Sequence, residues 1–496
     1  MGSSYSKPVG AIEKRAPLIQ QSDLEKKDLT IEIPPPYQII ERPSTPSVSL
    51  DRVQDWTESL LDDPKNRLAL SSLATASYTQ VLANRSALNA DLQVFNLKVP
   101  VEGAPITNQR SSGRCWLFAS TNIFRLPIMK AYNLRAFELS QAYLFYWDKI
   151  EKANYFLETI IETAHEDLSG RLVQKLFQDP VTDGGQWDMV ANLVRKYGLV
   201  PQALYPDSYH AQNSGKMNWL ITAKLREHAL ILRRLAQSSD PTEQAQIESA
   251  KQQFLQEIHS LVTLMLGPPP SPEKEFVWQF VDADGKAREV RQTPLGFAQP
   301  VNISRSQSKV SPSRMFSLVN DPRNEYNRLL TVDKLGNIIE GRQLAYVNVE
   351  MPILKRAVIA MLKAGSPVFF GCDVGKFSER EQGVMDPDLV DLTLGFNISL
   401  GLNKAERLSI GETAMTHAMV ITAVHLENDQ PVRWRVENSW GESSGDHGWF
   451  VMTDKWMDEY TFQAVVDSSL VSREVREVLE QEPKVLPRWD PMGVLA

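Results

Sequence analysis

Asn108-Gln109-Arg110-Ser111-Ser112-Gly113-Arg114-Cys115-Trp116-Leu117-Phe118-Ala119-Ser120 is the stretch on which the reading of this chain turns. Gly113 marks a turn, and the apolar run after it suits a helix, which places Cys115 at a helix N-terminus. There the free N–H groups and the helix dipole favour a thiolate, the form in which cysteine is a nucleophile. Gln109 lies six residues earlier, across the turn. Its amide is positioned to donate to an oxyanion formed at a carbon that Cys115 attacks. An isolated cysteine is more often a buried hydrophobe. Cys372, in Phe369-Phe370-Gly371-Cys372-Asp373, takes that bland reading.

A nucleophilic thiol needs a base, and the chain has seven histidines. His417 opens the apolar run Ala418-Met419-Val420-Ile421, and His425 closes it. Arg433-Trp434-Arg435-Val436-Glu437-Asn438 alternates polar and apolar residues as a half-buried strand does, with turn chemistry at Asn428-Asp429-Gln430-Pro431 between the two. Paired antiparallel strands would bring Asn438 to His417, where its side-chain oxygen can fix the ring's tautomer and aim. Trp440 would shield that contact from water. His425 is the rival base. His447 reads as a turn residue, and His165, His210, His228 and His259 as structural or surface residues.

The wider chain agrees with an enzyme of ordinary size. Its 496 residues are 42% apolar, ample for a large core, and the formal net charge is 53 − 61 = −8. That balance does not favour a dedicated nucleic-acid binder. Segment 216–234, with Lys216, Lys224, Arg226, Arg233 and Arg234, is the one stretch suggesting such a contact, and a solvated helix face is the favoured reading. No run approaches 18 apolar residues, so no membrane-spanning helix is expected. Two cysteines cannot build a disulfide framework and point to a reducing, cytoplasmic setting. Metal sites and clusters held by four cysteines are excluded by the same count, and no metal or cofactor is expected.

Residues 1–50 read as a flexible, Pro-rich leader with seven prolines. Met1-Gly2-Ser3-Ser4-Tyr5-Ser6 matches the M-G-x-x-x-[ST] acylation pattern, so any membrane contact would be through a lipid on Gly2. Helical spacings start near Trp56, and 216–266 reads as helix. Val368-Phe369-Phe370, Met415 to Leu426, 433–438 and 448–452 read as strands. Helices in the first half and an antiparallel sheet closing the second predict an α+β fold.

The Gln-x5-Cys-Trp block, the His417 strand and Asn438-Ser439-Trp440-Gly441 resemble the papain-like cysteine peptidases, and the order Cys, His, Asn agrees. The closer resemblance is to the bleomycin hydrolase family, a cytosolic branch of aminopeptidases. It rests on 108–119, DGGQWDM at 183–189, THAMVITAV at 416–424, RVENSWGE at 435–442 and the tail WDPMGVLA at 489–496. The resemblance covers about Asp51 to Ala496. It implies Cys115 as nucleophile, His417 as general base and acid, Asn438 as its orienting group, and Gln109 with the Cys115 backbone N–H as oxyanion hole. It further implies that Gly184 and Gly185 line the substrate cleft, and that Ala496 faces the substrate's free ammonium. A peptidase body over 51–481, helical insertions over about 140–350, a C-terminal arm over 482–496 in the active-site cleft and a homohexamer belong to the same expectation. Ser112 stands where secreted papain-like enzymes usually have a disulfide cysteine. The readings set against an aminopeptidase acting on peptides are a nucleic-acid-binding ring and an endopeptidase with a cleft open at both ends.

Overall fold

The computed structural model describes residues 48–90, 93–302 and 310–495. The leader up to residue 47, with Gly2, and the terminal Ala496 lie outside the described residues. By compactness the chain divides after Leu68. In the first unit the helix Leu50–Asp62 is capped by Ser49, whose side chain accepts from the Arg52 N–H, and it has no buried residue. Leu50, Val53, Trp56 and Leu60 recur at helical spacing and are all exposed.

The larger unit, residues 69–496, carries a mixed sheet against helices, an α+β arrangement. Strands run in the order Lys484–Leu486, Arg328–Val332, Tyr346–Asn348, Met315–Val319, Thr461–Asp467, Val368–Cys372, His417–Glu427, Gln430–Glu437, Trp449–Thr453, Val384–Met385 and Ser378–Glu379, with Leu97–Lys98 paired to His417–Glu427. The expected hairpin is present: His417–Glu427 and Gln430–Glu437 pair antiparallel around Asn428 and Asp429, both at positive φ. The sheet is not wholly antiparallel, which corrects the expectation. Trp449–Thr453 pairs parallel with Val384–Met385, Met315–Val319 with Tyr346–Asn348, and Lys484–Leu486 with Arg328–Val332.

The insertion over 140–350 is not all helical either. Helices Gln141–Glu162, Trp187–Tyr197, Gly215–Gln237 and Ile247–Leu266 fill its first part. A hairpin, Phe276–Val281 with Ala287–Gln292, and three strands of the main sheet fill the rest. Among the described residues no helix is long and apolar enough to cross a membrane.

The helix Cys115–Tyr132 packs on the His417 strand, and every residue from Cys115 to Arg125 is buried. Its buried cation, Arg125, is turned inward. Arg125 donates to the Pro105 carbonyl at 2.7 Å and to Glu437 Oε1 at 2.9 Å, and Asn122 donates to the same oxygen at 2.9 Å. Burial raises the Glu437 carboxyl pKa and Arg125 opposes the rise. Arg125→Met is therefore expected to cost about 3–5 kcal/mol, the range for breaking a buried ion pair. With Arg125 gone, burial acts on Glu437 without its main counterweight and its folded-state pKa climbs further. The folded state then takes up a proton as pH falls, so the deficit should shrink between pH 8 and pH 5. Urea midpoints at the two pH values check both the size and the sign.

Candidate active site

Gly113 breaks the chain just before Arg114, the N-cap residue, and the helix begins at Cys115 itself. Arg114 is fully buried and makes a two-point ion pair with Asp207, at 2.9 and 2.7 Å, which fixes the entry into the helix. Cys115 is 2% exposed. Burial pushes its thiol up to about 11, while the backbone N–H groups of Ala418, Trp116 and Cys115 itself pull it down, and Asp183 pushes it up. The Ala418 contact puts the sulfur at the first residues of the His417 strand, so the structure brings Cys115 and His417 together across 417 − 115 = 302 residues of chain.

The His417 ring nitrogen Nε2 lies 2.9 Å from Asn438 Oδ1. The amide oxygen accepts, so Nε2 carries the hydrogen and Nδ1 is left free for the thiol proton. Burial pushes the His417 imidazolium down to about 4, against the Asn438 hydrogen bond, which raises it. The Trp440 ring lies 5.0 Å from the His417 ring, tilted by 33°, and the guanidinium of Arg380 lies 4.9 Å from the Trp440 centroid. Asn438 Oδ1 also accepts from the Ser439 N–H at 2.8 Å.

Gln109 is tied to the same segment. Its backbone N–H donates to the Ser439 carbonyl at 2.8 Å, and its side-chain oxygen accepts from Ser439 Oγ at 2.7 Å. The amide nitrogen donates one hydrogen to the Ser112 carbonyl at 2.7 Å, which leaves its second hydrogen for a ligand. Ser439 thus joins Gln109 to Asn438. The motif around it was legible in the sequence, but its bridging role depends on a contact between segments 330 residues apart.

The other sequence assignments fall as follows. Cys372 is fully buried as the last residue of the strand Val368–Cys372, paired in register with His417, and burial drives its thiol well above the ordinary value. His425 is partly exposed beside Glu427 at the far end of its strand. His447 sits at positive φ in a turn. Gly184 is half-buried, and its carbonyl accepts from Lys152 Nζ at 2.6 Å. Gly185 is buried, and a Cβ there would lie 2.4 Å from the Trp116 indole. A close approach that needs glycine at 185 is therefore the one to Trp116. In segment 216–234, Lys224 pairs with Glu227 and Glu257, Arg226 donates to the Phe177 and Gln178 carbonyls, and Arg233 to those of Thr163 and Glu166. These cations are committed within the chain rather than aligned as an open stripe.

The tail is ordered into the body. Lys484–Leu486 extends the sheet, Pro491–Gly493 forms a 3-10 turn, and Met492 is buried. Trp489 remains 36% exposed with the Arg171 guanidinium 4.5 Å from its ring. The Val494 carbonyl accepts from Gln186 Nε2 at 3.1 Å, directly after Gly184-Gly185. The arm thus reaches the wall beside Cys115, and the Ala496 carboxylate lies outside the described residues.

Residues 47–493 match the Peptidase C1-like family. The chain is 42% identical over 468 residues to "Cysteine proteinase 1, mitochondrial" of Saccharomyces cerevisiae, covering 92% of this chain and 95% of that protein. It is 42% identical over 463 residues to "Bleomycin hydrolase" of Homo sapiens, covering 91% and 100% respectively. The crystal structure of pepw from Lactobacillus rhamnosis HN001 superposes with a TM-score of 0.85 at 35% identity, covering 91% of this chain and all of that one.

Proposed function

This chain belongs to the peptidase C1-like family and is a cysteine aminopeptidase, and from that premise we propose that Cys115 carries the acyl group and that the C-terminal arm sets the requirement for a free N-terminus. The Cys115 thiol passes its proton to His417 Nδ1, and the thiolate attacks the carbonyl carbon of the first peptide bond. Negative charge collects on the carbonyl oxygen, where the second Gln109 amide hydrogen and the Cys115 backbone N–H receive it. Imidazolium then protonates the leaving amine as the tetrahedral centre collapses to a thioester. Water, deprotonated by His417, hydrolyses the thioester and regenerates the thiol. Asn438 keeps the ring aimed through both halves.

The observation that supports the aminopeptidase reading is the hydrogen bond from Gln186 to Val494. A chain end held there occupies the side of the groove that residues N-terminal to the cut would need. Its terminal carboxylate offers a counter-charge to a substrate ammonium. The reading is tested by removing residues 494–496 and comparing peptide pairs that differ only in an N-acetyl group. The intact enzyme should cleave the free member at least about a hundredfold faster, the discrimination expected when the substrate's charged group is blocked from its partner. The truncated enzyme should narrow that ratio to within about tenfold and release internal fragments. An unchanged ratio would assign the selectivity to the cleft walls and remove the arm from the account.

A further inference from the structure

Behind the Cys115 loop lies a buried ion pair to which the acyl-transfer steps assign no role. Asp183 is 8% exposed. One carboxylate oxygen accepts from the Gly113 backbone N–H at 3.0 Å and from Ser214 Oγ. The other accepts from Lys149 Nζ at 2.6 Å and from Asn218 Nδ2 at 2.7 Å. Four donors fill the acceptor sites of a carboxylate. Burial opposes ionisation, yet these donors hold the Asp183 carboxyl well below the usual range. The Lys149 side chain is itself fully buried and lies against the Phe145 ring.

Asp183 also acts through its backbone: its carbonyl accepts from Trp116 Nε1 at 2.7 Å. One residue therefore grips the nucleophile loop on both sides of Cys115, at Gly113 and at Trp116. Packing closes the same joint. A Cβ on Gly113 would lie 2.8 Å from the Asp183 Cβ, and Gly185 lies under the Trp116 indole. On the far side, Gln186 holds the arm at Val494. Lys152 holds the segment from behind through the Thr182 and Gly184 carbonyls, at 3.1 and 2.6 Å.

We infer that Asp183 is a positioning residue, which registers the loop Gly113–Trp116 against the wall 183–186 where the arm rests, so that sulfur, oxyanion donors and bound peptide keep one geometry. A buried ion pair is a poor device for stability alone, because desolvation consumes most of the attraction. This one also places a negative charge where it opposes thiolate formation at Cys115. A carboxylate in that position is explained by what it holds. Displacing reacting groups by about 1 Å is enough to lose on the order of a hundredfold in rate.

The inference rests on Cys115 as the nucleophile, so alkylation of Cys115 in the unmutated enzyme must abolish turnover, and if it does not, that assignment fails whatever Asp183 does. Three full-length variants then separate positioning from folding: Asp183→Glu, the pair Asp183→Asn with Lys149→Met, and Ser214→Ala. Each is measured for thermal midpoint, for kcat and KM on an aminoacyl arylamide, and for the rate of Cys115 alkylation by iodoacetamide. Asp183→Glu keeps the charge but moves the carboxylate by one methylene. It should lose on the order of a hundredfold in kcat with KM changed by less than about threefold. The double variant removes both charges and should regain the thermal midpoint without regaining kcat. Ser214→Ala deletes one hydroxyl donor, folds in any case, and should lower kcat and the alkylation rate together by about threefold to tenfold. Unchanged kcat and alkylation rate in Ser214→Ala, or in either of the other two at the unmutated thermal midpoint, would overturn the inference and leave the pair a structural element only.

Discussion

Cys115→Ala is expected to lower turnover by at least about 10⁴-fold while the thermal midpoint stays close to that of the unmutated chain. The sulfur is small and its deletion opens little volume beside Trp116 and the His417 strand, so the loss is chemical. The same argument fixes the site of covalent inactivation. Cys372 is fully buried at the end of the strand Val368–Cys372, its thiol pushed far up by burial, and its neighbours His417 and Thr461 pair with it from both sides. A thiol reagent should therefore modify Cys115 and spare Cys372, as peptide mapping after partial inactivation would record. Turnover retained in Cys115→Ala, or inactivation that tracks Cys372, would refute the assignment.

His417→Ala should cost nearly as much, and its pH dependence separates it from a packing defect. Without the imidazole, only the helix N-terminus and the nearby N–H groups oppose burial of the thiolate. A thiol held up at about 11 is ionised to roughly one part in ten thousand at pH 7. Iodoacetamide should then react with Cys115 in this variant at a rate that climbs about tenfold per pH unit toward pH 11. The unmutated enzyme behaves differently because one proton transfer from sulfur to Nδ1 creates both charges side by side. The same burial that pushes the thiol up and the imidazolium down to about 4 strengthens their mutual attraction. Its alkylation rate should be nearly flat across neutral pH. A parallel pH profile in the two proteins would mean that His417 does not serve the thiol.

Much of the site was legible because its parts are local. A glycine turn before a cysteine, an apolar run opened by a histidine and a polar–apolar alternation ending in Asn438 each declare themselves within about ten residues. The pairing of the last two follows from an ordinary hairpin. Asp183 and Lys149 were not legible, because a sequence shows a charge but not its burial, and these partners are 34 residues apart on different elements. Ser439 stood inside a quoted motif without its link to Gln109, which only the sheet's register creates. The strands Met315–Val319, Arg328–Val332 and Tyr346–Asn348 are short, and the first two find partners far along the chain in Thr461–Asp467 and Lys484–Leu486, so the region read as part of a helical insertion. The hairpin at 276–292 did leave a signal: Asp284-Gly285, soon after the run Phe276-Val277-Trp278-Gln279-Phe280-Val281, is turn chemistry that marks paired strands.

The central claim is that a thiolate at Cys115 attacks the first peptide bond of a chain whose free ammonium is held at the arm. It is tested most directly by an electrophilic substrate mimic: an aminoacyl vinyl sulfone with a free α-amine, compared with its N-acetyl form. Intact mass and peptide mapping report how many labels enter and where. One label per chain, on Cys115, entering much faster from the free amine than from the acetylated compound, is the predicted result. Labelling of another residue, or equal rates from the two compounds, would contradict it.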